Sequence, residues 1–257
     1  MAFCLPGCAT IMPIFQGSKS MIRFWLGVLT GLFLSYGIRR LKSEKYNQDR
    51  IALYYTRRAS SYSKTDERVY FGYYPRIEMR KKLIENVHLK PGDRVLDIAC
   101  GTGANFPYIM EKIGPSGEIV GVDFSAPMLQ EAQKQVAAHG WKNVRLIQHD
   151  AATIQLGEQF DVVICALGMV VIPDYQSAMQ RAFEHVRPGG MLGIADLCES
   201  QRWYMLPVNT LMDVLDATLV TDTTRRPWEL MQPLVENYTR EDLLLGYMYV
   251  ATGKKPA

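Results

Sequence analysis

Short apolar runs alternate with amphipathic segments from residue 90 onward, and this alternation restricts the possible folds more than any other feature. The apolar runs are PGDRVLDIA, GEIVGVD, VRLIQHD, FDVVICA and MLGIADL. Segments with apolar residues at helical spacing follow the first, second and fourth of these runs. Strands and helices in this order predict a parallel sheet that is covered by helices on both faces.

The helix ends and the end of the chain carry further signals. The first helix is predicted over residues 105–113, while Ser125 is expected to cap the second helix and Gly140 to end it. Residues 197–232 look helical, are rich in Trp, Tyr and Met, and are expected to cover a binding cleft. PLVENY and LLLGYMYVATG then indicate two strands joined by TRED. The prediction is therefore an α/β fold with a doubly wound, seven-stranded sheet and an antiparallel final strand.

The bulk composition excludes some classes of function. A chain of 257 residues can bury one substantial core, and a formal charge of only +3 does not suggest a nucleic-acid partner. The five cysteines form no CxxC pair, and the last three fall in or next to predicted buried strands. This usage is typical of a reducing compartment rather than of a disulfide scaffold.

The first 43 residues contain no Asp or Glu, and they include one long apolar segment. Phe24–Ile38 is preceded by Arg23 and followed by a group of cations, which are Arg39, Arg40, Lys42 and Lys45. When the segment is extended to Met21–Ile38, it approaches the lower length limit of a membrane-spanning helix. Because more cations follow the segment than precede it, the positive-inside rule places the rest of the chain in the cytoplasm.

We therefore predict a membrane-anchored protein whose main domain lies on the cytoplasmic side of a cell or organelle membrane. The predicted divisions are an anchor over 1–43 and a globular domain over 44–257, with a lid at 44–80 and the substrate cover at 197–232. A cleaved targeting peptide and a helix buried in the core are the alternatives for the apolar segment. No convincing cleavage site follows it, and its flanking cations disfavour burial.

A glycine turn follows a buried acid in VLDIACGTGANF, residues 95–106. Gly101 and Gly103 match the first two glycines of a dinucleotide-binding loop, but Phe106 occupies the position of the third. Asp97 is unfavourable beside a diphosphate and favourable beside a cation. The loop therefore indicates a ligand that carries an amino acid ammonium group and no phosphate.

Two more carboxylates follow the next two strands. Asp123 ends the second strand, where it can accept hydrogen bonds from both hydroxyls of a ribose. Asp150 follows the third strand, where it can accept a hydrogen bond from the exocyclic amine of adenine. Adenine, ribose and a cationic amino acid tail together describe S-adenosylmethionine.

The motifs VLDIACGTG, VGVDFSAPML, HDAA, FDVVICALGMVVIP and RPGGMLGIADL resemble, in order and spacing, those of class I S-adenosylmethionine-dependent methyltransferases, which have a Rossmann-like fold. The resemblance extends from Ile77 to the C-terminus. It implies that the glycine loop supports the methionine moiety, and that the later acids bind ribose and adenine. The implied cofactor-binding residues are Asp97, Ala99, Gly101, Gly103, Asp123, Phe124, Met128, Asp150, Ala151, Ala166 and Leu167.

Each of these residues also has a purely structural interpretation. The glycines can form a tight turn, and the acids after the second and third strands can cap a helix or a turn. We interpret His149 as a strand residue without a catalytic role. The sequence shows no catalytic triad and predicts no metal, as expected for an enzyme that mainly aligns a nucleophile with an already reactive methyl group.

The acceptor must be recognised by the variable parts of the chain. Half of the 14 tyrosines lie between the predicted anchor and the first strand. Among them, Tyr73 and Tyr74 are the candidate catalytic residues, and their π faces suit a methylated ammonium. The alternative is that these tyrosines pack the lid. Four arginines are candidates for binding a phosphate, and they are Arg57, Arg58, Arg225 and Arg226.

The chain resembles two subfamilies. ALGMVVIPDYQSAM and LLLGYMYVATGKK resemble bacterial-type phospholipid N-methyltransferases. ASSYSKTDERVYFGYYPRIEMRKK and VENYTREDLLLGYMYVATGKKP also resemble ubiquinone and menaquinone C-methyltransferases. The arginine–asparagine pair of the quinone enzymes is missing after the fourth strand. The main prediction is therefore N-methylation of a phosphatidylethanolamine-type phospholipid, a small lipophilic substrate taken from the membrane. The alternatives are quinone C-methylation, methylation of a small thiol or another small molecule, and a non-catalytic scaffold that binds S-adenosylmethionine.

Overall fold

A computed structural model of the protein describes residues 48–66, 76–210 and 220–257, and of residues 60–66 it describes only the backbone. The predicted anchor Met21–Ile38, the candidates Tyr73 and Tyr74, and part of the substrate cover lie outside these residues. Among the described residues, no helix is both long enough and apolar enough to cross a bilayer.

Seven strands and the helices around them make up the described part of the chain. The strands are β1 (Arg94–Ile98), β2 (Glu118–Asp123), β3 (Val144–Gln148), β4 (Phe160–Ala166), β5 (Val186–Leu197), β6 (Glu236–Leu243) and β7 (Met248–Lys254). The helices are α1 (Gln48–Asp66), α2 (Arg76–Asn86), α3 (Phe106–Ile113), α4 (Ala126–His139), α5 (Tyr175–His185) and α6 (Pro227–Met231). Single 3₁₀ turns lie at Trp203–Met205, Gln232–Leu234 and Leu244–Gly246.

The strands form one sheet in the order β3-β2-β1-β4-β5-β7-β6. Strands β1 to β5 pair in parallel, and β7 runs antiparallel to both of its neighbours, β5 and β6. This topology confirms the predicted seven-stranded sheet with an antiparallel final strand. The strand order reverses between β1 and β4, and parallel sheets place ligands outside the carboxyl ends of the strands at such a point.

Each face of the sheet has its own core. On one face, Leu96 and Val122 pack with buried residues of α5 and α6, including Met179 and Met231. The opposite face carries a second cluster of buried side chains, contributed by α2, α3, α4 and the sheet, which includes Met79, Leu83, Phe106, Ile109, Ala132, Val136, Val95, Ile164 and Val250. Helices therefore cover both faces, as the alternation of apolar and amphipathic segments predicts.

The predicted limits of α4 are correct, but the predicted cap is not formed. Gly140 follows the helix with φ 69°, a left-handed conformation that suits glycine. Ser125 occupies the N-cap position, yet its side chain makes no capping hydrogen bond. Its backbone N–H instead donates to Asp123 Oδ1 at 2.8 Å. The residue therefore ties the start of α4 to the end of β2.

The final hairpin differs from the sequence prediction in its connection. TRED, residues 239–242, lies inside β6, and the chain turns at Leu244–Gly246 instead. β6 is an edge strand of the sheet, so charged side chains on it can remain exposed to solvent. Because of these charged residues, the sequence of the strand resembles that of a loop. Leu244, Leu245 and Gly246 all have positive φ values, which produce the turn.

Candidate functional site

A cleft lies at the carboxyl ends of β1, β2 and β4, with about 800 Å³ of empty space, part of it open to solvent. A volume of this size suits a small organic ligand. The structure brings nine of the eleven predicted cofactor-binding residues to its walls. They are Ala99, Gly101, Asp123, Phe124, Met128, Asp150, Ala151, Ala166 and Leu167.

The other two predicted residues, Asp97 and Gly103, do not line the cleft. Asp97 is fully buried, and both of its carboxylate oxygens accept hydrogen bonds from Asn105 Nδ2 at 3.0 Å. Gly103 has φ 81°, and a Cβ atom there would lie 2.6 Å from the ring of Phe106. Gly103 therefore allows the loop to close over Phe106, and Asp97 is bound by Asn105 away from the cleft.

Asp123 is held by the backbone on both sides. Its Oδ2 accepts a hydrogen bond from Gly101 N at 2.9 Å, and its Oδ1 accepts one from Ser125 N. The carboxylate therefore joins the glycine loop to the end of β2. Burial raises the pKa of Asp123 to about 6, although the two N–H donors act in the opposite direction.

Asp150 lies two residues beyond β3 and is half-buried. Its Oδ1 accepts from Ala152 N at 2.9 Å, and its Oδ2 accepts from Gln48 Nε2 at 2.8 Å. Gln48 begins α1, so this bond connects the lid region to the floor of the cleft. His149 is exposed and also lines the cleft.

The backbone is strained at two points of the cleft wall. Ala99 follows β1 with φ 55°, and Leu167 follows β4 with φ 61°. A left-handed conformation costs a residue other than glycine about 1–2 kcal/mol. Leu167 is held by a hydrogen bond from its N–H to Ala195 O at 2.8 Å. Such strain concentrates at functional sites, where the surrounding structure maintains it.

Several residues of the cleft were missed by the sequence analysis. They are Gln48, Ile51 and Tyr55 of α1, Arg80 of α2, Cys100, Thr102 and Ala104 of the glycine loop, Val122, and Gly168 and Val171–Pro173 after β4. One of them carried a signal in the sequence. Arg80 adjoins Met79 and lies three residues before Leu83, on the apolar side of α2, where a charged residue is unexpected.

We predict that Asp97 makes the stability of the protein depend on pH. Burial raises its pKa from 3.8 to about 7, so the folded state keeps a proton that the unfolded chain releases between these values. The stabilisation is complete below the lower value and is lost as the pH rises through the upper one. Across this window the free energy of unfolding should fall more steeply in the wild type than in Asp97→Asn, by up to about 1.4 kcal/mol per pH unit.

Urea unfolding of both proteins at several pH values tests this prediction. The wild type and Asp97→Asn have all other titrating groups in common, so the difference between their plots of unfolding free energy against pH comes from Asp97. Parallel curves across the window would contradict it.

Two further observations concern candidate metal and phosphate ligands among the described residues. Within residues 48–66, 76–210 and 220–257, no group of three or more His, Cys, Asp or Glu is arranged to hold a metal ion. Arg225, a candidate phosphate ligand, is buried and donates to Met169 O and Ile172 O. Arg225 therefore supports the loop after β4.

Part of this chain is similar to known methyltransferases. Residues 95–190 match a family model described as a methyltransferase domain. A demethylmenaquinone methyltransferase of Geobacillus kaustophilus is 33% identical over 116 residues, which cover 45% of this chain and 50% of that protein. The chain thus spans about half the length of the curated relatives it matches.

Two solved structures share the fold. A SAM-dependent methyltransferase from Aquifex aeolicus aligns with a TM-score of 0.53 at 20% identity, covering 70% of this chain and 93% of that one. A phosphoethanolamine N-methyltransferase from Haemonchus contortus, in complex with S-adenosyl-L-methionine, aligns with a TM-score of 0.56 at 15% identity, covering 70% and 53%. The two alignments confirm the fold that the sequence motifs predict.

Proposed function

We propose that this chain, which carries a class I S-adenosylmethionine-dependent methyltransferase domain, transfers a methyl group from that cofactor to a small lipophilic acceptor. The observation that carries the proposal is the cleft itself, in which Asp123 and Asp150 share a space otherwise lined mainly by apolar residues. A site of this kind orients a ligand with few polar groups and encloses it with apolar surface.

The residues of the cleft fit the cofactor. Each oxygen of Asp123 accepts one backbone N–H, and a carboxylate has about four acceptor positions, so two remain for the ribose hydroxyls. Asp150 has the same capacity for the amine of adenine. Phe124, Met128 and Ala151 offer apolar surface for the base. We therefore assign the ribose to Asp123 and the adenine to Asp150.

The protein's own part in the reaction is alignment and exclusion of water. When bound, the cofactor supplies a methyl group that its positive sulfur already activates. Leu167 and Gly168 bring the end of β4 to the cleft, and α1 closes it with Ile51 and Tyr55. Ile51 is almost completely buried and packs on Val170 and Val171. This enclosure holds the acceptor near the methyl group and keeps water out.

Among the predicted acceptors, a quinone ring is better supported than a phospholipid amine. Several curated relatives at about one-third identity are demethylmenaquinone methyltransferases. The cleft wall formed by Tyr55, Val171, Ile172 and Pro173 suits an apolar ring. Arg225, in contrast, donates to loop carbonyls, so it supports binding of a head-group phosphate poorly.

The proposed product requires that a ring hydrogen leave as a proton. A bond forms between the ring carbon and the methyl group as the carbon–sulfur bond of the cofactor breaks. The ring proton must then pass to a side chain or to water. Tyr73 and Tyr74 stay our candidates for this step, since both precede α2 and belong to the proposed lid, residues 44–80.

Membrane attachment is also part of the proposal. In addition to the segment Met21–Ile38, the described residues expose apolar side chains close to the carboxyl edge of the sheet. Trp203 is 86% exposed, Leu206 67% and Leu245 54%. Ser200 Oγ donates to Leu245 O, which holds this part of the proposed cover, residues 197–232, against the turn before β7. Exposed Trp and Leu at one edge favour contact with a bilayer surface.

A direct assay distinguishes the acceptors. The full chain, reconstituted in bilayers with S-adenosylmethionine, is offered a demethylated naphthoquinol, phosphatidylethanolamine or a small alkyl thiol in separate reactions. We expect the ring-methylated quinol as the main product, detected by mass spectrometry. Tyr73→Phe combined with Tyr74→Phe should lower this turnover more than it lowers cofactor affinity.

Other outcomes would overturn specific parts of the proposal. Mono-, di- and trimethylated phosphatidylethanolamine with an unchanged quinol would support the phospholipid reaction instead. Methylation of the thiol alone would indicate a small-molecule enzyme. Cofactor binding without turnover of any acceptor would indicate a non-catalytic scaffold.

A further inference from the structure

Arg80 is a buried cation on the wall of the cleft. It belongs to α2, its exposed fraction is 8%, and it lines the cleft together with Gly101 and Thr102. Its Nη1 donates to Asn105 Oδ1 at 2.6 Å. Among the described residues, its Nε and Nη2 have no hydrogen-bond partner, although a guanidinium carries five N–H donors. A buried guanidinium with unused donors beside an open cleft is suited to an anion.

A second observation shows how the side chain of Arg80 is oriented. Asn105 donates from Nδ2 to both oxygens of Asp97, and this fixes the amide with its oxygen towards Arg80. Asp97 is fully buried and has no surface on the cleft. The three side chains therefore form one buried chain in which Arg80 alone reaches the ligand space.

We propose that Arg80 binds the α-carboxylate of the amino acid end of S-adenosylmethionine, and that Asn105 and Asp97 are positioning residues for Arg80. The proposal rests on the proposed function, because it assumes that this cofactor occupies the cleft. The other charged contacts in the cleft, Asp123 and Asp150, repel a carboxylate. Nε and Nη2 lie on one edge of the Arg80 guanidinium, and from there they can donate two parallel hydrogen bonds to the two oxygens of a carboxylate.

This assignment changes the role expected for Asp97. The sequence motifs predict that its carboxylate lies beside the ammonium of the ligand. In the structure Asp97 is fully buried, does not line the cleft and is bound by Asn105, so it acts through its neighbours.

Ligands that differ at the amino acid end test the proposal. S-adenosylhomocysteine carries the carboxylate, S-adenosyl-3-thiopropylamine lacks only that group, and 5′-methylthioadenosine lacks the whole amino acid end. In calorimetry with the full chain, Arg80→Met should lower the affinity for S-adenosylhomocysteine at least about tenfold, as expected when a charged hydrogen-bond pair is lost. The affinities for the other two ligands should change less than about twofold. Arg80→Lys should recover part of the loss.

The design separates recognition from folding, because all three ligands bind the same preparation of each variant. If Arg80→Met lowers the affinity for all three ligands equally, the proposal is wrong and Arg80 has a packing role. Failure of the wild type to bind any of them would instead overturn the proposed function. Arg181→Met, which removes a partly exposed arginine paired with Glu184 on α5, is the matched control and should leave all three affinities unchanged.

Discussion

Replacing Asp123 by Ala is expected to weaken binding of S-adenosylhomocysteine by about 10- to 150-fold, since loss of a charged hydrogen-bonding partner costs about 1.5–3 kcal/mol. The change removes the acceptor assigned to the ribose hydroxyls. It also leaves Gly101 N and Ser125 N without the acceptor that joins them, so the glycine loop loses its link to the end of β2. Calorimetry on the full chain measures the effect.

A second aspartate on the same sheet provides the control for this variant. Asp161 lies near the start of β4, at the opposite edge, where it accepts hydrogen bonds from Arg94 N and Arg187 Nε. Asp161→Ala should leave the affinity for S-adenosylhomocysteine within about twofold of the wild type, even if the protein loses stability. An equal loss of affinity in both variants would show that Asp123 acts through the general stability of the sheet.

Most of the cleft could be predicted from the sequence because the end of each buried strand can be located from its apolar run. In a parallel sheet the carboxyl ends of the strands meet at one edge, so residues that follow buried apolar runs converge. Asp123, Asp150, Ala166 and Leu167 all follow this rule and line the cleft. Their distances along the chain are irrelevant, because the pairing of the strands brings them together.

Asp97 and Arg80 show where this reasoning failed. Position in a strand placed Asp97 close to the glycine loop, but it did not reveal that its carboxylate is buried away from the cleft and bound by Asn105. Arg80 belongs to a helix that precedes β1, and no local pattern specifies that this helix packs beside the loop. Contacts between elements that are distant in sequence depend on tertiary packing, which periodicity does not encode.

Edge position explains the failure at β6. A strand with one unpaired edge tolerates charged side chains, so residues 239–242 lack the apolar alternation by which the inner strands were recognised. The inner strands β1, β2 and β4 are buried on both faces and therefore read as continuous apolar runs. The prediction of a strand was thus most accurate where burial was most complete.

Asp196→Asn is expected to lower kcat/KM for the acceptor by roughly 100-fold, because a displacement of about 1 Å in a site can have an effect of this size. Asp196 is fully buried at the end of β5, where its Oδ2 accepts from Val170 N at 3.1 Å and its Oδ1 from Leu197 N at 2.8 Å. An amide nitrogen cannot accept from either N–H. The amide keeps only one oxygen, so Val170 N and Leu197 N no longer both have an acceptor and the link between the loop after β4 and the end of β5 is weakened. That loop carries Val171 and Ile172 into the cleft.

The matched control is Asp174→Asn, at the N-cap of α5, where the side chain accepts from Ser177 N. Asn caps a helix as well as Asp does, so this variant should keep both stability and turnover. In Asp196→Asn, the affinity for S-adenosylhomocysteine should stay within about threefold, because the ribose and adenine contacts assigned above belong to β2 and the segment after β3. If cofactor affinity falls as far as turnover, Asp196 supports the whole cleft. If neither changes, Arg225, which donates to Met169 O and Ile172 O, holds the loop without it.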